Sequence, residues 1–247
     1  MSAAEQIGFE DGLRVFTTSM MEARFLHDEI FRTGCYDHAE LPQRPLVVDA
    51  GANIGMFALY IKRRYPAAEI FAFEPVPESA AVLRQNIQLH ELTGIALHEV
   101  ALGSQPEKTA PFTYYPSAPG SSTRYPEQTG PARAAVGRIF SDRVAERLYR
   151  GREINVRVER LSAFLTASRP VDLLKIDVEG AELDVLLSID PPHWPLIRQA
   201  ILEVPENTGH LDAVCDLLSS HGLTPSVGPG PQRDTDAPSR MVHAIRS

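Results

Sequence analysis

A chain of 247 residues with 43% hydrophobic and 23% charged residues has the make-up of an ordered globular protein, and it can bury an ample core as one large α/β domain. Its net charge of −8 and lack of a long basic run give no electrostatic reason to bind a polyanion, which argues against nucleic acid as a partner. Cys35 and Cys215 are too far apart in sequence to suggest a disulfide framework or a zinc site, residues Met1 to Glu10 lack the apolar core of an export signal, and no apolar run could span a bilayer; the expectation is a cytoplasmic chain outside the membrane.

Residues 1–44 precede the first expected strand. Within them, Met20 to Phe31 carries apolar residues at Met21, Phe25, Leu26 and Ile30, which predicts an amphipathic helix packed on the sheet or lidding the site. Leu46 to Phe57 then reads as strand, tight glycine turn and helix, with the helix stopped near Tyr65-Pro66. Gly51 and Gly55 let the backbone pass close to a ligand, and the helix start behind them offers free amide groups. Asp49 stands at the mouth of the turn, where a carboxylate can meet a positively charged ligand group. Glu69 to Pro75 is a second strand, apolar enough to be covered on both faces, that delivers Glu74 at its carboxyl end. Glu74 follows Asp49 by 25 residues, close to the spacing of about 20 at which an acid after the second strand of a Rossmann-type unit binds ribose hydroxyls.

Pro77 to Leu92 has a helical apolar stripe, and Ile95 to Leu102 supplies a third strand. Phe112 to Tyr115 looks like a strand, Pro116 to Gly130 like a loop, Ala134 to Arg150 like a helix and Glu153 to Leu161 like another strand. The whole of 105–160 reads as an insertion over the crevice mouth, suited to substrate selection. Regular alternation returns with a strand over Val171 to Asp177, a helix over Ala181 to Ile189, a strand over Gln199 to Val204 and a helix over Gly209 to His221. Short strands near Leu223 to Val227 and Met241 to Ile245 flank a polar, proline-rich loop over Gly228 to Ser239 that is expected to be mobile. The predicted fold is a doubly wound, Rossmann-like α/β sheet, mostly parallel with an antiparallel closing strand pair, with helices on both faces in a single domain over 1–247.

The turn Asp49-Ala50-Gly51-Ala52-Asn53-Ile54-Gly55 resembles the first motif of class I S-adenosylmethionine-dependent methyltransferases. A dinucleotide site would instead want glycine where Asn53 and Met56 stand. Lys175-Ile176-Asp177-Val178-Glu179-Gly180-Ala181-Glu182-Leu183-Asp184-Val185-Leu186 resembles the FkbM family of methyltransferases. The same resemblance extends, in order, over Val48 to Gly55, Phe73-Glu74-Pro75, Val100-Ala101-Leu102-Gly103 and Ile201-Leu202-Glu203-Val204. It implies S-adenosyl-L-methionine as cofactor, held by Asp49, Gly51, Asn53, Gly55, Glu74 and Ala101. It also implies O-methylation of a small-molecule hydroxyl on a sugar, polyketide or peptide natural product. The sequence departs from the family pattern at Leu161-Ser162, where Leu-Asp is frequent, and at Val204-Pro205, where a His often follows the acid.

Methyl transfer from a sulfonium to an alcohol needs the three reacting atoms held in line and a base for the alcohol proton. Asp177, Glu179 and Glu203, at the carboxyl ends of neighbouring strands, are the candidates. Plainer roles exist for each: Asp177 could cap the following helix, Glu203 could pair with Arg198, and Lys175 could simply neutralise its neighbours. The three acids could also bind a divalent cation, so metal dependence stays open at this point. His98 and Trp194 read as structural, His210 as a surface residue at a helix start, and Asp190 to His193 as a helix stop. N-methylation of an amine, or a non-catalytic S-adenosylmethionine-binding module, are the competing functions, and the chain gives no sign of its oligomeric state.

Overall fold

The computed structural model describes residues 4–37, 40–231 and 239–246, and all structural statements below concern these residues. Elements follow in chain order as β1 (Glu5–Gly8), β2 (Arg14–Thr17), α1 (Met20–Arg32), β3 (Leu46–Ala50), α2 (Met56–Arg64), β4 (Glu69–Phe73), α3 (Pro77–Leu89), β5 (Ile95–His98), β6 (Ala101–Leu102) and β7 (Glu107–Tyr114). The second half continues with α4 (Gly130–Ile139), α5 (Asp142–Leu148), β8 (Arg152–Glu159), β9 (Leu173–Ile176), α6 (Glu182–Leu187), β10 (Gln199–Pro205), α7 (Leu211–Ser220), β11 (Leu223–Pro229) and β12 (Ser239–Arg246).

Seven of the described strands form one sheet in the order β11-β12-β10-β9-β3-β4-β5. The run from β10 to β5 is parallel, while β12 pairs antiparallel with β10, and β11 with β12. Strand order therefore reverses between β3 and β9, and a crevice opens at their carboxyl ends. Side-chain alternation divides the core in two. Val47, Ile70, Ala72 and Leu173 face α1, α2 and α3 on one side, whereas Val48, Ala50, Leu174, Ile176 and Leu202 face α6 and α7 on the other. Helix ends obey local chemistry. Ser19 caps α1 by accepting from the Glu22 amide, Pro77 opens α3, and Lys62, Arg63 and Arg64 lie in the last turn of α2, where the helix dipole favours cations.

Three expectations are corrected. The strand foreseen over Ile95 to Leu102 breaks at Glu99-Val100: β5 stays in the main sheet, and β6 leaves it to join a second sheet ordered β6-β8-β7. An apolar run shows that a strand is buried but not which neighbour it bonds. The helix foreseen over Ala134 to Arg150 is two helices, because Ser141 starts a new one by capping the Val144 amide. A hairpin of β1 and β2 also precedes α1; four-residue strands show too little alternation to be recognised, and this one is fixed by Asn86 of α3, which bonds both the amide and the carbonyl of Phe16. The loop expected to be mobile falls largely on 232–238, outside the described residues.

Leu174 sits in the central strand β9 with 0% exposure, so Leu174→Ala is expected to lower unfolding stability by about 2–5 kcal/mol through lost burial and a residual cavity. Urea denaturation of the two chains measures the difference, and an unchanged midpoint would place Leu174 outside the core.

Candidate active site

The crevice at the reversal point encloses about 1240 Å³ of space, part of it open to solvent. Its floor is the turn after β3. Gly51 adopts φ +81°, and a Cβ there would lie 1.8 Å from the Asp177 carbonyl oxygen, so only glycine fits. The turn is stapled to β4 by the Gly51 and Ala52 amides, which donate to the Phe73 carbonyl at 3.1 and 2.9 Å. Asn53 continues in the left-handed region at φ 46°. Its amide donates to Glu74 Oε2 at 2.8 Å, and the Val76 amide donates to Glu74 Oε1 at 2.8 Å. Glu74 is thereby fixed at the end of β4 on the cavity wall.

Beneath the turn lies a buried cation. Lys175 Nζ, on β9, stands 3.2 Å from Asp49 Oδ1 and 3.5 Å from Asp177 Oδ2, and donates to the Gly51 carbonyl at 2.8 Å. Burial opposes the Lys175 charge, but Asp49 and Asp177 outweigh it and raise the group above its ordinary value. Lys175 thus does more than neutralise neighbours: it ties the floor turn to the base candidate.

The expected cofactor residues Gly51, Asn53, Glu74 and Ala101 line the cavity together with Asp177, Glu179 and Glu203. Two expected contacts do not. Asp49 is wholly buried and meets Lys175, so the positive group it faces is internal. Gly55 adopts φ +89° at the start of α2, where a Cβ would lie 2.3 Å from Leu83 Cδ1; its place is in packing. The plainer readings of the acids also fall. Asp177 caps nothing, since Glu182 takes the Val178 and Gly180 amides at 3.3 and 3.0 Å, and Arg198 pairs with Asp172 while Glu203 accepts from Ser239 Oγ at 2.7 Å. His98 stacks on Phe73, and Trp194 on His221.

Sequence reasoning missed the contribution of α1. Glu22 and Glu29 both line the cavity. Glu22 Oε1 accepts from Asn53 Nδ2 at 3.1 Å and from the Gly120 amide at 2.9 Å, joining α1, the floor turn and the irregular segment at one atom. Tyr36, just past α1, places its hydroxyl 3.0 Å from Glu29 Oε1 and 3.1 Å from Asp177 Oδ2. A signal was present, because Glu22, Phe25, Leu26 and Glu29 share one helical face, which puts two acids on the apolar stripe. The opposite wall comes from the expected insertion: Phe112, Pro119, Ser122 and Arg124 line the cavity, and Thr123 Oγ1 donates to the Glu179 carbonyl at 2.7 Å, holding that residue at φ 55°.

The carboxyl groups crowd one another. Ligand atoms of Glu29, Asp177 and Glu203 lie within 4.8 Å of one another, too close for three free charges. Burial raises Glu22 to about 7 and Glu74 to about 7; burial and then Asp177 raise Glu29 to about 8 and put Glu203 well above the carboxylate range. Carboxyl groups raised in this way ionise more readily beside an added positive charge. Such a wall suits a ligand bearing a sulfonium and an amino group.

A parallel sheet reversing over an acidic, glycine-floored crevice is the architecture of the class I S-adenosylmethionine-dependent methyltransferases. The model of the Methyltransferase FkbM domain matches residues 49–222, and the chain belongs to the FkbM methyltransferase family, whose cofactor is S-adenosylmethionine. It is 41% identical over 225 residues to Methyltransferase sdnD of Sordaria araneosa, covering 86% of each chain. It is 34% identical over 235 residues to the 31-O-demethyl-FK506 methyltransferase FkbM of Streptomyces tacrolimicus, covering 89% of each. The fold is similar, with TM-score 0.58 and 14% sequence identity, to the crystal structure of Methyltransferase FkbM from Methylobacillus flagellatus KT, over 88% of this chain and 47% of that one. No helix among the described residues is long and apolar enough to cross a membrane.

Because Glu22, Glu29 and Glu74 titrate at about 7, 8 and 7 when folded, against 4.5 ordinarily, the folded chain holds more protons than the unfolded one between these values. Their contribution favours the fold most at low pH and is lost as pH rises through that window. Thermal melting of the ligand-free chain should therefore shift downward between about pH 5 and pH 8; a melting temperature that climbs over this range would show that the cavity acids are ionised.

Proposed function

We propose that the chain methylates a hydroxyl group of a small-molecule natural product at the expense of S-adenosylmethionine. The observation that carries this reading is the position of the Asp177 carboxylate, held by Lys175 and Tyr36 on the cavity wall beside the glycine turn. An alcohol loses its proton as it attacks, so it profits from a fixed carboxylate, whereas a neutral amine needs less help. The name of the Streptomyces tacrolimicus relative, which specifies an oxygen as the methylated atom, supports the same choice.

The cavity fits the cofactor on its own chemistry. Gly51 leaves a cradle that a side chain would fill, Asn53 Oδ1 is buried with no hydrogen-bond partner, and the surrounding carboxylates favour positive charge. In this reading Gly51 and Asn53 would hold the nucleoside, Glu74 would accept from its ribose hydroxyls, and Ala101 would lie against its adenine. The bound cofactor supplies an electrophilic methyl group on sulfur. Asp177 accepts the alcohol proton, with Glu203 and Glu179 as neighbouring acids that keep the charge of the pocket adjustable. Phe25, Leu26 and Ile30 of α1, with Phe112 and Pro119, add apolar lining against which an acceptor can pack. The preponderance of carboxylates disfavours anionic acceptors, and uncharged hydroxylated metabolites are the preferred class.

Two variants test the assignment. Asp177→Asn should lower the rate of methyl transfer to an alcohol by roughly 10²–10⁴-fold, read by mass spectrometry as loss of the product carrying one added methyl group. Retention of turnover by both Asp177→Asn and Glu203→Gln would favour an amine acceptor instead. Glu74→Ala should weaken S-adenosylmethionine binding by roughly 1.5–3 kcal/mol through lost charge-assisted hydrogen bonds, and an unaltered calorimetric Kd would remove Glu74 from the cofactor site.

A further inference from the structure

One buried hydroxyl serves two acids. Tyr36 is 1% exposed, and its oxygen lies 3.0 Å from Glu29 Oε1 and 3.1 Å from Asp177 Oδ2. A phenol carries a single proton and cannot donate to both. Were both acids ionised, one would face only an oxygen lone pair in a corner where an unpaired charge is costly. One of the two carboxyl groups must therefore carry a proton and donate it to the Tyr36 oxygen.

The surroundings decide which. The charged and titratable groups facing this corner are Asp177, Glu179 and Lys175 around the β9 tip, Glu203 on β10, and Cys35 beside Tyr36. Lys175, the cation among them, stands 3.5 Å from Asp177. Glu29 is 5% exposed, and burial followed by the charge of Asp177 pushes it up to about 8. The proton belongs on Glu29, and the charge on Asp177.

We propose that Glu29 and Tyr36 form a positioning pair for Asp177: neutral Glu29 donates its carboxyl proton to the Tyr36 oxygen, which commits the Tyr36 proton to the Asp177 carboxylate. The inference rests on the O-methylation reading, in which Asp177 is the base. During transfer the acceptor oxygen forms its bond to the methyl carbon, and the carbon–sulfur bond breaks with its electron pair left on sulfur. The alcohol proton passes to the Asp177 oxygen that Tyr36 does not hold. Glu29 and Tyr36 keep their own protons throughout and act by orienting the base.

The test compares Tyr36→Phe, Glu29→Gln and Glu29→Leu. Tyr36→Phe should lower kcat about tenfold while leaving the S-adenosylmethionine Kd and the acceptor KM within about twofold, since the Asp177 carboxylate loses the donor that orients it. The glutamine amide can still donate to the Tyr36 oxygen, so Glu29→Gln should keep kcat within about threefold of the parent, while Glu29→Leu reproduces the Tyr36→Phe loss. A Glu29→Gln variant as inactive as Asp177→Asn would overturn the proposal, because Glu29 would then be the base. An unmoved kcat in Tyr36→Phe would reduce Tyr36 to packing, with the same result. Infrared difference spectra of the full chain at neutral pH, parent minus Glu29→Gln, read the pair without turnover. A carboxylic acid C=O band that shifts in Tyr36→Phe is the expected result, and absence of the band overturns the hydrogen-bond order whatever the acceptor. The band without methylation of any alcohol would sink the functional reading and leave the hydrogen-bond order standing.

Discussion

The ammonium group of Lys175 is the constraint on which the site depends. It lies where the order of the sheet reverses, 3% exposed, opposite Asp49 in the register of β3 against β9. A buried ion pair contributes little net stability, because desolvating both charges offsets most of their attraction. Its effect is on geometry. By holding Asp49, Asp177 and the Gly51 carbonyl at once, Lys175 sets the floor turn and the tip of β9 at one fixed separation. Gly51 answers from the other side, since its missing Cβ is what lets the turn approach the Asp177 carbonyl.

That internal pairing shapes the chemistry of the cleft. Lys175 is shared between Asp49 and Asp177, and burial of the remaining acids raises Glu22, Glu29 and Glu74 to about 7, 8 and 7. A positively charged cofactor changes this balance, because each carboxyl that ionises beside it gains an attraction in a poorly solvated space.

Much of this was legible in the sequence. The alternation of strands and helices, the glycine turn and the acid at the end of β4 are local patterns, and local patterns survive reading in one dimension. Asp49 was legible as a residue of the site but not in its role: an acid at a strand end looks the same whether its cation is a ligand or a lysine 126 residues away on the neighbouring strand. Glu99-Val100 hides the departure of β6 from the main sheet for the same reason, since hydrogen-bond partners of a strand are set by the whole topology. Glu22 and Glu29 are the instructive omission. Their spacing put both on the apolar stripe of a helix, and an acid on a buried stripe calls for an explanation even when the motif lies elsewhere.

The shared domain begins at residue 49, yet Glu22, Phe25, Leu26, Glu29 and Ile30 form one wall of the cavity from outside it. Another part of the wall, Phe112 to Arg124, lies on β7 and the segment that follows it, away from the parallel strands of the main sheet. The strand tips must keep their register or lose the Lys175 contacts, while α1 must keep both the Glu22 bridge to Asn53 and Gly120 and the Glu29 contact that reaches Asp177 through Tyr36. The cavity therefore keeps its shape only while the strand tips, α1 and the irregular segment hold these contacts together.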